Sequence, residues 1–257
     1  MMNDIQKNRT FMHCPSFEGS MGESDQQKGI AHPVYDNFIT GEFIELPTFD
    51  EAIMTNQYVD LLDERRSERV FTEEVMTQQQ LAFMLWSANG IQSFRGDMVS
   101  TFRPAPSGGA RHPFEFYVAV KNVEGLEPGF YHYVPTKNIG EKKVTIERLG
   151  PLFDDYEKNM NDLVVGQKWV TKAPVVLFIS CKPYRAEWRY RDAAHRVMLI
   201  DLGHVGQNLM LSATALGLGS CCLAAYHQKL CDDNFSFNGI DEYTVYVLPV
   251  GHVKKKQ

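Results

Sequence analysis

Between residues 195 and 226 the apolar positions recur by threes and fours rather than by twos. Met198, Leu202, Val205, Leu209 and Leu216 form an apolar row, Gly203, Gly206, Ala213 and Gly217 a row of small residues, and Asp201, His204, Asn208 and Ser212 a sparse polar row. That spacing predicts one long, nearly buried helix in which only the polar row meets water. Glycine inside a helix costs about 0.5–1 kcal/mol relative to alanine, so the small row predicts a second helix packed close, in the same chain or in another copy. Leu216-Gly217-Leu218-Gly219 supplies the stop, with Gly217 or Gly219 suited to the positive φ of a C-cap, and a short apolar turn follows over residues 220–225.

The other patterns arrange themselves around this helix. Residues 1–30 are polar, short of aliphatics and punctuated by Gly19, Gly22 and Gly29, which predicts a flexible N-terminal arm; residues 31–257 then form a single domain. An extended stretch is expected over 34–49, followed by a helix over about 50–64 with Ile53, Val59, Leu61 and Leu62 facing inward. Thr77 with Gln80 three residues on reads as a capping box, opening a helix through Leu81, Met84, Leu85 and Ala88 that Asn89-Gly90 stops. Strands are expected at 114–120, 129–134, 143–148, 175–180 and 243–250, with a helix at 152–165. Strands alternating with long helices give an α+β layout around one central sheet.

Composition narrows the function classes. A chain of 257 residues with 44% hydrophobic content and a net charge of −6 can bury one substantial core and shows no basic stripe for nucleic acid. Its longest apolar runs fall far short of the roughly 20 residues that span a bilayer, and residues 1–27 lack the apolar segment of a signal peptide, so a cytoplasmic protein with no membrane partner is expected. The five cysteines (Cys14, Cys181, Cys221, Cys222, Cys231) are odd in number and lack CxxC spacing, so neighbouring Cys221 and Cys222 read as small buried hydrophobes rather than a redox pair.

Four stretches could hold a ligand. Arg65-Arg66-Ser67-Glu68-Arg69 packs three guanidinium forks and a hydroxyl into five residues, the chemistry that grips phosphate oxygens; a solvated charged corner is the alternative. Pro106-Ser107-Gly108-Gly109-Ala110 lacks bulk, so its backbone N–H groups could approach a flat or anionic ligand, although a plain surface loop would read the same. The turn at 220–225 offers main-chain donors beside a dry wall, and Lys254, Lys255 and Lys256 form a basic tail. Other chemistries fail: GLGSCC lacks the third glycine of a dinucleotide fingerprint, and no GxxxxGK[ST], HExxH or GxSxG is present. His195 and His204 are nine residues apart, on opposite sides of a helix, and cannot share a metal; His204 beside Asp201 reads as a satisfied core pair, and Asp192 with His195 as a weak acid/base candidate.

Taken together, RRSERVF, PSGGARHPFEFYV, ALGLGSCCLAAY and VYVLPVGH occur in the order and spacing of the nitroreductase family of FMN-dependent oxidoreductases, which the chain resembles over about residues 50–252. Within it, PSGGA and the later GFYHY look most like the branch of SagB-type azoline dehydrogenases found in peptide-modifying gene clusters. The resemblance implies a central mixed, mainly antiparallel sheet flanked by helices, in an intertwined homodimer that holds FMN at its interface. It implies that Arg65, Arg66, Ser67 and Arg69 contact the FMN phosphate and ribityl chain. Pro106, Ser107, Gly108 and Gly109 would reach the flavin from the partner subunit, and the backbone of Ala224 and Ala225 would face its N5 edge. Lys254 would assist at the phosphate. Ala224-Ala225 departs from the acidic residue and glycine common at that point in the family, which bears on substrate preference rather than on flavin binding. No catalytic side chain is assigned, the chemistry lying at the flavin, and no metal is expected. The implied activity is ping-pong reduction of nitroaromatics, quinones or a related small electrophile, with NADH or NADPH as electron donor. The alternatives are a dehydrogenase or oxidase of peptide-derived azolines, and a non-catalytic flavin-binding protein whose flavin face is plugged by Phe94, Phe102 and Tyr131.

Overall fold

The computed structural model describes residues 22–33, 41–48 and 58–254. Its strands are β1 Glu42–Leu46, β2 Ser93–Arg95, β3 Ser100–Phe102, β4 Phe114–Val120, β5 Gly129–Tyr133, β6 Val144–Gly150, β7 Val175–Cys181, β8 Leu218–Ser220 and β9 Tyr243–His252. Its helices are α1 Tyr58–Glu64, α2 Gln78–Asn89, α3 Tyr156–Leu163, α4 Tyr184–Tyr190, α5 Ala194–Ala215 and α6 Gln228–Asn234. One sheet runs in the order β1-β6-β5-β4-β7-β9-β8, and β2 and β3 form a separate hairpin. Each strand pairing within the main sheet is antiparallel.

The central strands carry unbroken apolar runs because both faces of the sheet are covered. On one face Phe116, Val118, Leu177, Ile179, Leu248 and Val250 pack against α2 and α5; on the other Ala119, Val176, Phe178 and Val247 meet α3, α6 and the rings of Phe235 and Phe237. The capping box opens α2 as expected: Thr77 Oγ1 accepts from Gln80 N–H at 3.1 Å, and Gln80 Oε1 accepts from Thr77 N–H at 2.9 Å. Such a cap contributes about 1 kcal/mol.

Helix α5 has the expected length, and Gly217 follows it at φ 68°. Its faces are assigned differently. Three of the four polar-row residues turn inward: Asp201 and Ser212 are buried, Ser212 Oγ donates to Ser87 Oγ at 2.7 Å, and Asn208 Nδ2 donates to the Ser87 carbonyl at 2.9 Å. Leu199 and Ile200 are instead exposed, together with Gly203, His204 and Gln207. Gly206 does receive a close neighbour, but it is the Tyr246 ring of β9 rather than a second helix, and no atom lies within 4 Å of where a Gly203 side chain would begin.

The same reversal occurs in α1, where Val59 and Leu62 are exposed with Tyr58 and no residue is buried; Ile53 lies outside the described residues. Helix periodicity reveals an apolar face, but not whether this chain covers it. Tyr131 also departs from expectation, being buried in the core away from the exposed Phe94 and Phe102 of the hairpin. Of the expected arm, residues 22–33 lie along α4: Gln26 N–H donates to the Trp188 carbonyl, Tyr184 Oη–H to Asp25 at 2.7 Å and Trp188 Nε1–H to the Ile30 carbonyl at 2.8 Å. Residues 1–21 lie outside the described residues.

One buried ion pair ties α4 to the sheet. Arg185 reaches Glu115 of β4 at 2.5 Å, and the other oxygen of Glu115 lies 3.2 Å from His132 Nε2 of β5. Burial would raise the Glu115 carboxyl, but the Arg185 guanidinium and His132 hold it well below the usual carboxylate range. Glu115→Gln leaves the Arg185 charge buried without its counter-ion and should cost about 3–5 kcal/mol in urea unfolding at neutral pH. The folded-state value lies below the ordinary 4.5, so the contribution is complete above that pH and is lost as pH falls. The variant should therefore show a flatter acid limb than the wild type. Equal stability of the two at neutral pH would contradict this account.

Candidate functional site

The arginine segment leaves α1 and adds itself to the sheet beside β8. Glu68 N–H donates to the Ser220 carbonyl at 3.0 Å, and Ser67 forms a parallel bridge with Ser220. The chain then crosses to β9, where Thr72 N–H donates to the His252 carbonyl at 2.8 Å and Phe71 bridges Val253. This course leaves Arg66 and Arg69 exposed and Arg65 half-buried. Arg66 and Lys254 line one cavity of about 420 Å³, whose wall also carries Asp63, Glu64, Glu68 and Gly217. Arg69 points elsewhere, its guanidinium lying 5.7 Å over the Trp169 ring.

The turn after β8 is held by main chain on one side and by one side chain on the other. Leu223 and Val247 exchange backbone hydrogen bonds of 2.7 and 3.1 Å, leaving Ala224 and Ala225 exposed just beyond. Gln167 Nε2 donates to the Ala225 carbonyl at 2.8 Å and to the Val164 carbonyl at 3.2 Å. Two residues later Trp169 stacks on Phe71 with ring centroids 6.3 Å apart and carries Arg69 on its face. Residues 167–169 thus join the turn to the arginine segment, and neither Gln167 nor Trp169 stands out in the sequence.

The glycine-rich loop lies at the other end of α5. Ser107 Oγ–H donates to Asp201 Oδ2 at 2.6 Å, and Gly108 N–H donates to Asp201 Oδ1 and Oδ2 at 3.0 and 3.1 Å. Ser107 Oγ also accepts from His112 N–H at 2.9 Å. Asp201 is therefore occupied by the loop and not by the exposed His204. Its carboxyl is raised from the ordinary value by burial, against which the bonds from Ser107 and Gly108 act. A side chain at 108 would run into Val197, and one at Gly109, where φ is 57°, would begin 2.7 Å from Arg189 Cδ and from Tyr190 Oη. Beneath the loop, burial together with the charge of Arg103 pushes His112 well below the usual imidazole range, so the neutral ring donates from Nε2 to the Thr101 carbonyl at 2.8 Å.

Geometry separates these two groups of residues. Asp201 and Leu216 are 15 positions apart along α5 and its C-cap. At 1.5 Å per residue that is about 22 Å of helix, along which the turn runs back until Cys222 Sγ lies 4.0 Å from the Gly206 carbonyl.

The nitroreductase family profile matches residues 62–252. The chain belongs to the nitroreductase family. Its similarity extends over most of MJ1384 of Methanocaldococcus jannaschii, a nitroreductase by name, at 32% identity over 81% of this chain and 95% of that protein. The trifolitoxin-processing protein TfxB of Rhizobium leguminosarum bv. trifolii is 34% identical over 45% of this chain and 30% of its own length. A solved nitroreductase from Ralstonia eutropha shares the fold, with a TM-score of 0.61 at 20% identity over 83% of this chain and 90% of that one. So does a chain of the E. coli microcin synthetase McbBCD complex bound to truncated pro-MccB17, with a TM-score of 0.57 at 18% identity over 98% of this chain and 92% of that one.

As a nitroreductase-family chain it is an oxidoreductase by class. No group of three or more metal ligands occurs among the described residues, and no described helix is long and apolar enough to cross a membrane. His195 Nε2 lies 3.3 Å from Glu187 Oε1 and its Nδ1 3.4 Å from the Asp192 carbonyl. Cys221 is buried, and burial raises the Cys222 thiol to about 11, so neither is a ready nucleophile.

The loop's need for absent side chains gives a direct test. Gly108→Ala should lower stability by about 1–3 kcal/mol through the clash with Val197. Gly203→Ala, in open space within α5, should be neutral or stabilising by about 1 kcal/mol in the isolated chain. Thermal unfolding of both variants checks the contrast.

Proposed function

We propose that this chain is an FMN-dependent oxidoreductase that works as a homodimer, each site combining Arg65, Arg66, Ser67, Arg69, Ala224, Ala225 and Lys254 of one subunit with Pro106, Ser107, Gly108 and Gly109 of the other. The observation that carries this reading is the exposure of apolar side chains on α1 and α5 in a chain that also presents two complementary groups of donors. Tyr58, Val59 and Leu62 on α1, and Leu199 and Ile200 on α5, are exposed apolar side chains that water solvates poorly and a second copy would cover.

The residues present suit the cofactor. Exposed Arg66 shares a cavity with Lys254, where a phosphate would find charge-assisted donors beside the carboxylates of Asp63, Glu64 and Glu68. The N–H groups of Ala224 and Ala225 have no acceptor among the described residues and point from a turn that Gln167 pins. Gly108 and Gly109 let backbone come close to a flat ring. When bound, FMN supplies the redox chemistry, exchanging two electrons with a nicotinamide in one half-reaction and with an electrophile in the other. The chain's own contribution is to hold the phosphate by its cations, to orient the ring by backbone donors, and to exclude water by burying the apolar helix faces.

NADH or NADPH is the proposed electron donor, and nitroaromatics, quinones or a related small electrophile the acceptors, in a ping-pong cycle. The similarity to TfxB favours one alternative, oxidation of a peptide-derived azoline. A plugged, non-catalytic flavin is not favoured, because Tyr131 lies in the core and cannot join Phe94 and Phe102. Anaerobic addition of NADPH to the purified yellow protein decides between the first two: bleaching of the flavin band supports the reductase, and a band that persists with both nicotinamides contradicts it. Separately, Ile200→Asp should convert the dimer to monomer on size exclusion and release the flavin; a flavin-loaded monomer would contradict the interface site.

A further inference from the structure

We propose that Asp201 is the positioning residue of the flavin site, its buried carboxylate setting the shape of the 106–109 loop that one subunit presents to its partner's flavin. This inference rests on the flavin reading above and adds a residue to it. The carboxylate is 4% exposed and is reached by the hydroxyl of Ser107 and the N–H of Gly108, residues 93 and 94 positions away in the chain. The 2.6 Å contact lies within the range of a hydroxyl bonded to an ionised oxygen, shorter and stronger than a neutral pair.

These bonds do more than anchor the loop. They consume two of its donors, and the remaining acceptor capacity of Ser107 Oγ is engaged by His112 N–H. Ser107 therefore faces inward, the places where side chains of Gly108 and Gly109 would begin are filled by Val197, Arg189 and Tyr190 of the same chain, and the loop is left to meet its ligand with main chain. The surrounding backbone is held in conformations it would not choose: Ala110 and His112, neither of them glycine, have φ of 53° and 43°. Such residues persist only where neighbouring contacts over-determine them. Ala110 N–H bonds the Ser107 carbonyl and His112 N–H bonds Ser107 Oγ, and Asp201 in turn holds Ser107 and Gly108 from the first half of α5, whose far end leads into β8 and the arginine segment of the same subunit. One rigid helix thus fixes the loop for the partner's site relative to its own.

The test titrates FMN into flavin-stripped dimers of the wild type, Asp201→Asn, Ser107→Ala and the double variant, following quenching of FMN fluorescence well below each melting temperature. Each single variant should weaken FMN by roughly ten- to a hundredfold, the worth of a lost charge-assisted bond. The double variant should be no weaker than the worse single, because both remove one contact. Unchanged FMN affinity with a lowered melting temperature would overturn the proposal, making Asp201 a merely structural anchor, and additive losses would also overturn it. Should Asp201→Asn fail to fold, Ser107→Ala reads the same contact alone. If the wild type itself binds no FMN, the flavin reading falls and the proposal with it, an outcome distinct from failure in the variants.

Discussion

A single 22-residue helix, packed by its apolar row against an antiparallel sheet, sets the distance between everything in this chain that could touch a cofactor. Because α5 is stiff and buried along Met198, Leu202, Val205 and Leu209, the glycine loop at one end and the β8 turn at the other cannot approach each other by bending. The separation is a consequence of helix rise, not of loop choice. The two groups of donors are complementary in chemistry, and the uncovered apolar side of the same helix says where a second chain would lie.

The sheet supports this arrangement at some electrostatic expense. Placing Arg185 and Glu115 in the interior strips both of water, and such a pair gives little net stability compared with apolar residues of similar size. Its geometric effect is larger: it fixes α4 to β4, and Arg189 and Tyr190 at the end of α4 pack against Gly109. The cation–π contact of Arg111 over Trp188, at 4.7 Å, and the bond from Arg111 Nε to the Arg185 carbonyl brace the same corner. Rigid support on one side and a buried carboxylate on the other leave the loop little freedom before any ligand arrives, which lowers the ordering cost of binding.

Much of the fold was legible in the sequence for a plain reason. Strands such as β4 and β7 are buried on both faces, so their apolar runs are continuous, and α5 spans enough turns for its period to be unmistakable. Helix α4 is short, opens on Pro183 and mixes aromatic with charged residues, and α6 has only two buried residues, so neither shows a clear period. The apolar row of α5 is buried as its spacing predicts, but Val59 and Leu62 of α1 and Leu199 and Ile200 of α5 are exposed, because amphipathic spacing carries no information about which molecule covers an apolar side chain. At the candidate site, the arginine, glycine and small-residue stretches announce themselves by composition. Gln167, Trp169 and Asp201 do not, since each acts through a partner distant in sequence, and Asp201 looked satisfied by His204 one turn away.

The most direct test of a site shared between subunits is complementation. A heterodimer purified by two different tags would join one chain carrying Arg66→Ala with Lys254→Ala to another carrying Gly108→Val. If the site is shared, both lesions fall on one site, the other is intact, and the heterodimer binds one FMN with wild-type affinity although neither homodimer does. If each site lies within one chain, both sites in the heterodimer carry a lesion, and FMN binding no better than in the parent homodimers would contradict the account.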